Sequence, residues 1–361
     1  MEKTSQLSNA QIQQALKAGI ISPSQAKAMR GANNEKTEQS QTPSQRRPEN
    51  KSMIGNEEDL RFLRSFSDVF IAIGLFILGL GAIGFVRILG GGIWNLVIAG
   101  LIFVMALYFG RKKRAHLPTL ILSLAFLFFI QAGMDAILST GGISAAAITL
   151  IAMSGFYALI RLPFCIALIA IAALYLLFSV FRAIAPELLI NATGMILILS
   201  GIIIFIIALI YDRFDQHRTT RFSDNAFWLH LLAAPLIIHG LAIGAIQQRI
   251  EKLFGVIPII EISPIEAVII LAMVGLMTLI GLAINRRALI VSSLGYAAFA
   301  LVYLINGTGL GFGSVIVATL IALGLFIVLL GVIWHDVRNV IIKFLPKWRV
   351  FPPPYDPSFR P

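Results

Sequence analysis

A glutamine and an aspartate stand four residues apart inside an otherwise apolar run. Gln131 and Asp135 lie in FFIQAGMDAIL, residues 128–138, so a helix places both side chains on one face. Polar groups inside a membrane span are costly and often mark an ion, proton or substrate contact. The alternative is that Asp135 lies near the outer end of its span and meets the headgroup layer. The sequence leaves both interpretations open.

Two histidines, His230 and His239, occupy another apolar run with Pro235 between them. Nine residues turn a helix by about 900°, so the two rings face opposite sides and cannot share a metal ion on an unbroken helix. Pro235 removes the partner of the Leu231 carbonyl and is expected to kink the helix. Either histidine could bond to a neighbouring helix. His239, in the outer half of its span, is the predicted partner of Asp135.

Three further polar residues are predicted at the outer ends of spans: Asn191, Glu266 and Asn306. With Asp135 and His239 they could line an outward-facing vestibule, or they could be ordinary span ends. The sequence contains no HExxH motif, P-loop or nucleophile elbow. Its single cysteine, Cys165, excludes an intrachain disulfide and a cysteine metal cluster. We therefore expect no cofactor and no metal site, and the missing catalytic set favours a protein that is not an enzyme.

The composition requires a lipid environment. Of the 361 residues, 58% are hydrophobic and 13% are charged, whereas a soluble domain has about 25% charged residues. About ten apolar runs approach the ~20 residues that cross a bilayer as a helix. The sequence thus predicts an all-α polytopic transmembrane bundle with spans at 67–87, 93–110, 117–138, 142–160, 163–181, 190–211, 227–246, 265–284, 288–306 and 314–334.

The net charge of +11 is explained by topology, because cytoplasmic loops collect Lys and Arg. One set of alternate loops carries Arg111, Lys112, Lys113, Arg114, Arg161, Arg213, Arg218, Arg221, Arg286, Arg287, Arg338, Lys343, Lys347 and Arg349. The other set carries Arg87, Arg182, Arg249 and Lys252. Both termini are therefore expected in the cytoplasm, with the chain in a bacterial inner membrane. No basic stretch is interleaved with aromatic residues, so we expect no nucleic-acid partner.

The regions outside the spans are polar and divide into three parts. Residues 1–31 predict a small cytoplasmic helical hairpin, because Ser8 with Gln11 and Ser22 with Gln25 fit capping boxes. It is too small to be stable alone and is expected to bind a cytoplasmic protein, a second copy or the rest of this protein. Residues 32–56 predict a flexible tether before the membrane domain at 57–334. Residues 335–361 predict an amphipathic helix on anionic lipids and a proline-rich tail, and residues 247–258 an interfacial stretch.

The first and last spans resemble each other. IAIGLFILGLGAI at 71–83 aligns with IALGLFIVLLGVI at 321–333, so the pair Gly74 and Gly81 matches the pair Gly324 and Gly331. A spacing of seven puts both glycines of a pair on one face, where helices can approach closely. A limited apolar alphabet explains the likeness equally well. An ancient duplication of five spans would make the two halves inverted in the membrane.

The N-terminal GIISPSQA turn, the polar tether and FLRSFSDVFIAIGLFILGLGAI resemble a family of bacterial membrane proteins known as domain of unknown function 2157. The likeness covers about the first 110 residues. It implies a short cytosolic helical region before many spans, and it implies no activity or catalytic residue.

Two function classes remain open from the sequence. The chain could be a transporter or permease of a small or apolar solute, with Asp135 and His239 on the path. It could instead be a non-transporting scaffold or regulator that recruits partners through residues 1–31 and its basic tail. Few polar residues lie inside the spans, so a path through them suits apolar cargo.

Overall fold

The computed structural model describes residues 66–138, 142–215, 220–246, 250–253, 257–260 and 263–345, together with Ala18, Ser22 and Gln25. The chain divides into two units, residues 1–54 with Pro361 and residues 55–360. In the first unit, Ser22 N–H donates to Gln25 Oε1 at 2.9 Å and Gln25 N–H donates to Ser22 Oγ at 3.3 Å. The capping box predicted at Ser22 is therefore confirmed, whereas Ser8 and Gln11 lie outside the described residues.

Ten helices in the described part of the second unit are long and apolar enough to cross a membrane. This identifies the chain as a polytopic helical membrane protein. The helices are α1 Phe66–Ile88, α2 Ile93–Leu107, α3 His116–Leu138, α4 Ile143–Ile160, α5 Phe164–Ile184, α6 Pro186–Phe214, α7 Arg221–Ile246, α8 Pro264–Ile284, α9 Ala288–Asn306 and α10 Phe312–Phe344. Helix α2 continues into a π-helical turn, Tyr108–Lys113.

Two features depart from the elements predicted by sequence. The stretch predicted as interfacial contains two short antiparallel strands, β1 Ile250–Leu253 and β2 Ile257–Ile260, with Ile250 paired to Ile260. Helix α10 runs unbroken to Phe344, so no boundary separates the last span from the predicted amphipathic helix. The reason is local, because no glycine or proline interrupts the chain between Gly331 and Pro346. Helix α7 runs through Pro235, as the predicted span at 227–246 does.

The two largest clusters of the apolar core divide the described helices in sequence order. The first joins α1 to α5 around Met153, Phe156 and Leu168. The second joins α6 to α10 around Ile238, Met277 and Leu289. We call helices α1–α5 the first half and helices α6–α10 the second half.

Helix α5 packs against both halves with different faces. Its residues Phe164, Cys165 and Leu168 belong to the core of the first half. Ile166, Ala170 and Leu174 lie on another face and pack against a smaller cluster that includes Ile204 of α6 and Leu229 of α7. The helical period of 3.6 residues separates these two sets of positions. Helix α5 therefore connects the two halves, whose main apolar cores are separate.

Helices α6 and α7 pack so closely that backbones meet at glycines. A Cβ atom added to Gly240 would lie 2.6 Å from the carbonyl oxygen of Gly194. One added to Gly201 would lie 2.7 Å from Ile237 Cγ1 and 3.1 Å from the carbonyl oxygen of Ala233. Small residues permit this approach, which is the usual way in which membrane helices gain packing energy.

Candidate functional site: a buried charge cluster

Contacts between turns place one set of loops at a common end of the bundle. Asn225 Nδ2, at the start of α7, donates to the Tyr157 hydroxyl near the end of α4 at 3.0 Å. A Cβ on Gly110, in the π turn after α2, would lie 2.7 Å from Ile160 Cγ2. The turn after α8 contacts the end of α6 through Arg286 and Asp212. We call this end, where the turns after α2, α4, α6 and α8 lie, the basic end.

Four polar side chains form a buried cluster at the basic end: Asp212 of α6, Ser223 and His230 of α7, and Arg286 after α8. Arg286 Nε lies 3.0 Å from Asp212 Oδ1 and 3.2 Å from Oδ2. Arg286 Nη2 also donates to Oδ1 and to Ser223 Oγ at 3.0 Å. His230 Nε2 lies 2.8 Å from Asp212 Oδ2. We call these four residues the Asp212 cluster.

The end of α8 directs Arg286 into this cluster. Asn285 takes the left-handed conformation, with φ 56°, and so ends the helix. The N–H of Arg286 then donates to the carbonyl of Gly281 at 2.7 Å. Glycine is needed there, because a Cβ would lie 2.9 Å from the carbonyl oxygen of Arg286. The reversed chain points the guanidinium back toward α6 instead of outward.

Burial makes the Asp212 cluster different from ordinary loop charges. Arg286 is 1% exposed and His230 is 0% exposed, and the ring of Phe205 covers His230 with centroids 5.2 Å apart. Removing an ion from water costs several kcal/mol, which can be as much as the attraction within an ion pair returns. A buried ion is therefore stable only where an opposite charge and hydrogen bonds offset this cost. Here the guanidinium supplies the opposite charge and the imidazole occupies the second carboxylate oxygen. The arrangement can therefore hold the carboxylate ionised.

A second contact anchors α10 beside this cluster. Trp334, which is buried, donates from Nε1 to Asn285 Oδ1 at 3.0 Å. The guanidinium of Arg287 lies over the Trp334 ring, 5.2 Å from its centroid, within the distance at which cations attract aromatic rings. The same three-residue turn, Asn285–Arg287, therefore contacts α6, α7 and α10.

Asp135 lies at the opposite end of the bundle and has partners other than the predicted one. Gln131 Nε2 donates to Asp135 Oδ2 at 2.9 Å, which confirms that the two side chains share a face. The Tyr175 hydroxyl of α5 donates to the same oxygen at 3.1 Å. His239 is exposed and its ring lies 6.3 Å from that of Tyr296. The predicted pairing of Asp135 with His239 is therefore wrong, because Tyr175 on the adjacent helix of the same half reaches the carboxylate.

The other sequence-predicted residues lie apart from one another. His230 is the interhelical histidine, bonded to Asp212. Glu266 forms a capping box with Ser263 at the start of α8. Asn191 is exposed on α6, and Asn306 is the exposed last residue of α9. Within the described ranges, no hydrogen bond or ion pair joins any one of these five residues to another: Asp135, His239, Asn191, Glu266 and Asn306.

Sequence reasoning missed Asp212, Ser223 and Arg286 as a site. Arg286 counts in the sequence as one of many loop cations, and Asp212 follows the apolar run at the end of α6. The available signal was that a carboxylate and an arginine each directly end an apolar run, at ends predicted to share one side of the membrane. Among the residues that the structure describes, no group of three or more His, Cys, Asp or Glu side chains could hold a metal ion.

No protein-family model, no curated protein and no solved structure matches this chain.

Proposed function

We propose that this membrane protein is a transporter of a small or apolar solute, in which the first half moves relative to the second. The observation that supports this proposal is the division of the core into two separately packed five-helix halves, with α5 shared between them. Many transporters work by movement of one helical bundle against another around a site between them. Five is an odd number, so duplicated halves would be inverted, as in many transporter folds.

The hydrogen-bonded polar side chains in or near the spans lie at the two ends of the bundle, where such a path would open. The Asp212 cluster lies at the basic end, on the second half. Gln131, Asp135 and Tyr175 lie at the other end, on the first half. Most other side chains on the helices are apolar. A path between the halves therefore favours a solute that needs few hydrogen bonds, because unpaired polar groups in an apolar path are costly.

We further propose that the basic end faces the cytoplasm of a bacterial cell and that the membrane is the inner membrane. Described cations at this end include Arg111, Lys112, Lys113, Arg161, Arg213, Arg221 and Lys343. Arg87 and Arg182, near the ends of α1 and α5, belong to the opposite end. The excess of cations on one side is the feature that orients bacterial membrane proteins.

Distance measurement between spin labels tests the movement of the halves. Cys165 is buried and is first replaced by Ala, and exposed Lys112 of the first half and Lys343 of the second half are changed to Cys and labelled. Double electron–electron resonance of the protein in nanodiscs should show two populations of the distance between the labels, or one population that shifts when a panel of apolar solutes is added. The pair Lys112→Cys and Arg161→Cys, both in the first half, is the matched control and should give one fixed distance.

A single unchanged distance between the halves, with and without the solute panel, would contradict a transporter with moving halves. It would support a non-transporting scaffold or regulator, with residues 1–31 and the basic tail as the parts that recruit partners.

A further inference from the structure

Five cations lie on two adjoining turns of the first half at the basic end. Arg111, Lys112, Lys113 and Arg114 follow one another after α2, and Arg161 follows α4. All five are exposed. The two turns touch, because a Cβ on Gly110 would lie 2.7 Å from Cγ2 of Ile160. We call these five cations the basic patch.

The backbone of both turns directs the cations outward. Helix α2 widens into the π turn Tyr108–Lys113, and such single π turns are often found at functional sites. Arg114 then takes a left-handed conformation, φ 53°, and the N–H of Ala115 donates to the carbonyl of Phe109 at 2.9 Å. Arg161 takes the same conformation, φ 58°. Each arginine is thus the left-handed cap that ends its helix.

The basic patch has no carboxylate partner among the residues that the structure describes. Residues 66–185, which contain the whole first half, include two carboxylates, Asp68 and Asp135. Asp135 lies at the opposite end of the bundle, bonded to Gln131 and Tyr175. Lys112 makes a contact within its own turn, because its Nζ lies 5.7 Å from the centroid of the Tyr108 ring. The positive charge is therefore available to an anion.

Exposed apolar side chains lie directly deeper on the same helices. On α2, Leu101 is 58% exposed and Val104 is 63% exposed, and on α4 Leu159 is 48% exposed. A ligand that fits both surfaces has an anionic head and hydrocarbon chains. A soluble anion would make no contact with these lipid-facing side chains, whereas the hydrocarbon chains of a phospholipid whose headgroup binds the patch can pack along them.

The other cations at the basic end are arranged differently. Arg286 and Arg338 are buried, and Arg286 is engaged in the Asp212 cluster. Arg287 lies over Trp334. Exposed Arg213, Arg221 and Lys343 come from α6, the start of α7 and α10, so each stands on a separate helix instead of in a consecutive run.

We propose that the basic patch is a binding site for the phosphate headgroup of an anionic phospholipid, whose chains lie along α2 and α4. The site differs from the C-terminal basic helix, because it is built from the turns after α2 and α4. It is independent of whether the protein transports a solute.

Native mass spectrometry of the full-length protein tests this site. The protein is released from detergent after addition of phosphatidylglycerol or phosphatidylcholine, and bound lipid is counted. The variant Arg111→Gln/Lys112→Gln/Lys113→Gln should bind phosphatidylglycerol at least about tenfold more weakly, because each cation near an anionic lipid contributes to attraction. The control Arg213→Gln/Arg221→Gln/Lys343→Gln removes the same charge from exposed positions of the second half and should retain the lipid.

Two results would overturn the proposal. Equal loss of phosphatidylglycerol from both triple variants would show a diffuse charge effect without a site. Glycerol 3-phosphate, the headgroup without chains, should neither stabilise the protein nor displace the lipid at equal concentration. If it did either through the basic patch, the site would belong to a soluble anion. Thermal unfolding of both variants without added lipid checks that each remains folded.

Discussion

Arg286 and Asp212 are separated by 74 residues in the chain and form a buried ion pair through the guanidinium Nε and both carboxylate oxygens. The pair connects the end of α6 with the turn after α8, and His230 of α7 shares the same carboxylate. One carboxylate thereby connects the end of α6, the third turn of α7 and the turn after α8. Helix α10 is attached to the same turn through Trp334 and Asn285.

Removal of one partner from this pair should destabilise the protein strongly. Arg286→Gln leaves Asp212 as a buried charge without its cation, which typically costs about 3–5 kcal/mol. Asp212→Asn combined with Arg286→Gln should cost less than the sum of the single changes. Thermal unfolding in detergent measures all three variants. Arg213→Gln, an exposed neighbour, is the control and should stay within about 0.5 kcal/mol of the parent protein; strictly additive single effects would show that the pair contributes nothing.

The close packing of α6 on α7 predicts opposite effects of the same substitution at two glycines. Gly240→Ala places a methyl group 2.6 Å from the Gly194 carbonyl oxygen, so the helices must separate at a cost of about 1–3 kcal/mol. Gly324→Ala meets nothing within 4 Å and should leave stability unchanged or raise it by up to about 1 kcal/mol. Melting temperatures in detergent distinguish the two. Equal melting temperatures for both variants would contradict the α6–α7 interface.

The hydrogen bond between Tyr175 and Asp135 predicts coupling between these two residues but not between Asp135 and His239. In a double-mutant cycle, Asp135→Asn and Tyr175→Phe should couple by about 0.5 kcal/mol or more. Asp135→Asn and His239→Gln should be additive within about the same margin. Unfolding free energies in mixed micelles give both cycles. Coupling in the histidine cycle alone would restore the pairing that the structure contradicts.

The anchoring of α10 by Trp334 predicts a specific loss on removal of its indole N–H. Trp334→Phe keeps most of the apolar contact but removes the hydrogen bond to Asn285 Oδ1, at a cost of about 0.5–1.5 kcal/mol. Trp94→Phe is the matched control, because Trp94 is 42% exposed and its change should be close to neutral. Limited proteolysis and thermal unfolding measure the effect. Equal protease resistance and stability of the two variants would mean that the hydrogen bond does not hold α10.

The proposed orientation predicts the side on which each turn lies. Reporter fusions after Gly110 and after Asn285 should report the cytoplasm, because these turns lie at the basic end. Fusions within residues 139–142 and 247–262 should report the opposite side. An alkaline phosphatase and green fluorescent protein pair at each position makes the measurement. Cytoplasmic signal from residues 139–142 would contradict ten crossings.

Hydropathy along the sequence was sufficient to predict ten spans, and the described part of the chain contains ten helices of the required length and composition. The reason is that crossing a bilayer depends on a local property, the length of an apolar run whose backbone is bonded within its own helix. The same holds for the cap formed by Ser22 and Gln25, because its two hydrogen bonds join residues three apart. The shared face of Gln131 and Asp135 also follows from helical periodicity alone.

Only the tertiary structure decided which polar and small residues find partners. Arg286 and Arg287 are adjacent loop cations in the sequence, yet one is buried on Asp212 and the other lies over Trp334. Gly194 and Gly201 have the same spacing of seven as Gly74 and Gly81. However, α7 packs against the first pair, and nothing lies within 4 Å of a Cβ at the second. Hydropathy indicates that a helix lies in lipid. It does not indicate which residues on other helices a side chain contacts, because that depends on which faces of the helices pack together, and those helices are distant in sequence.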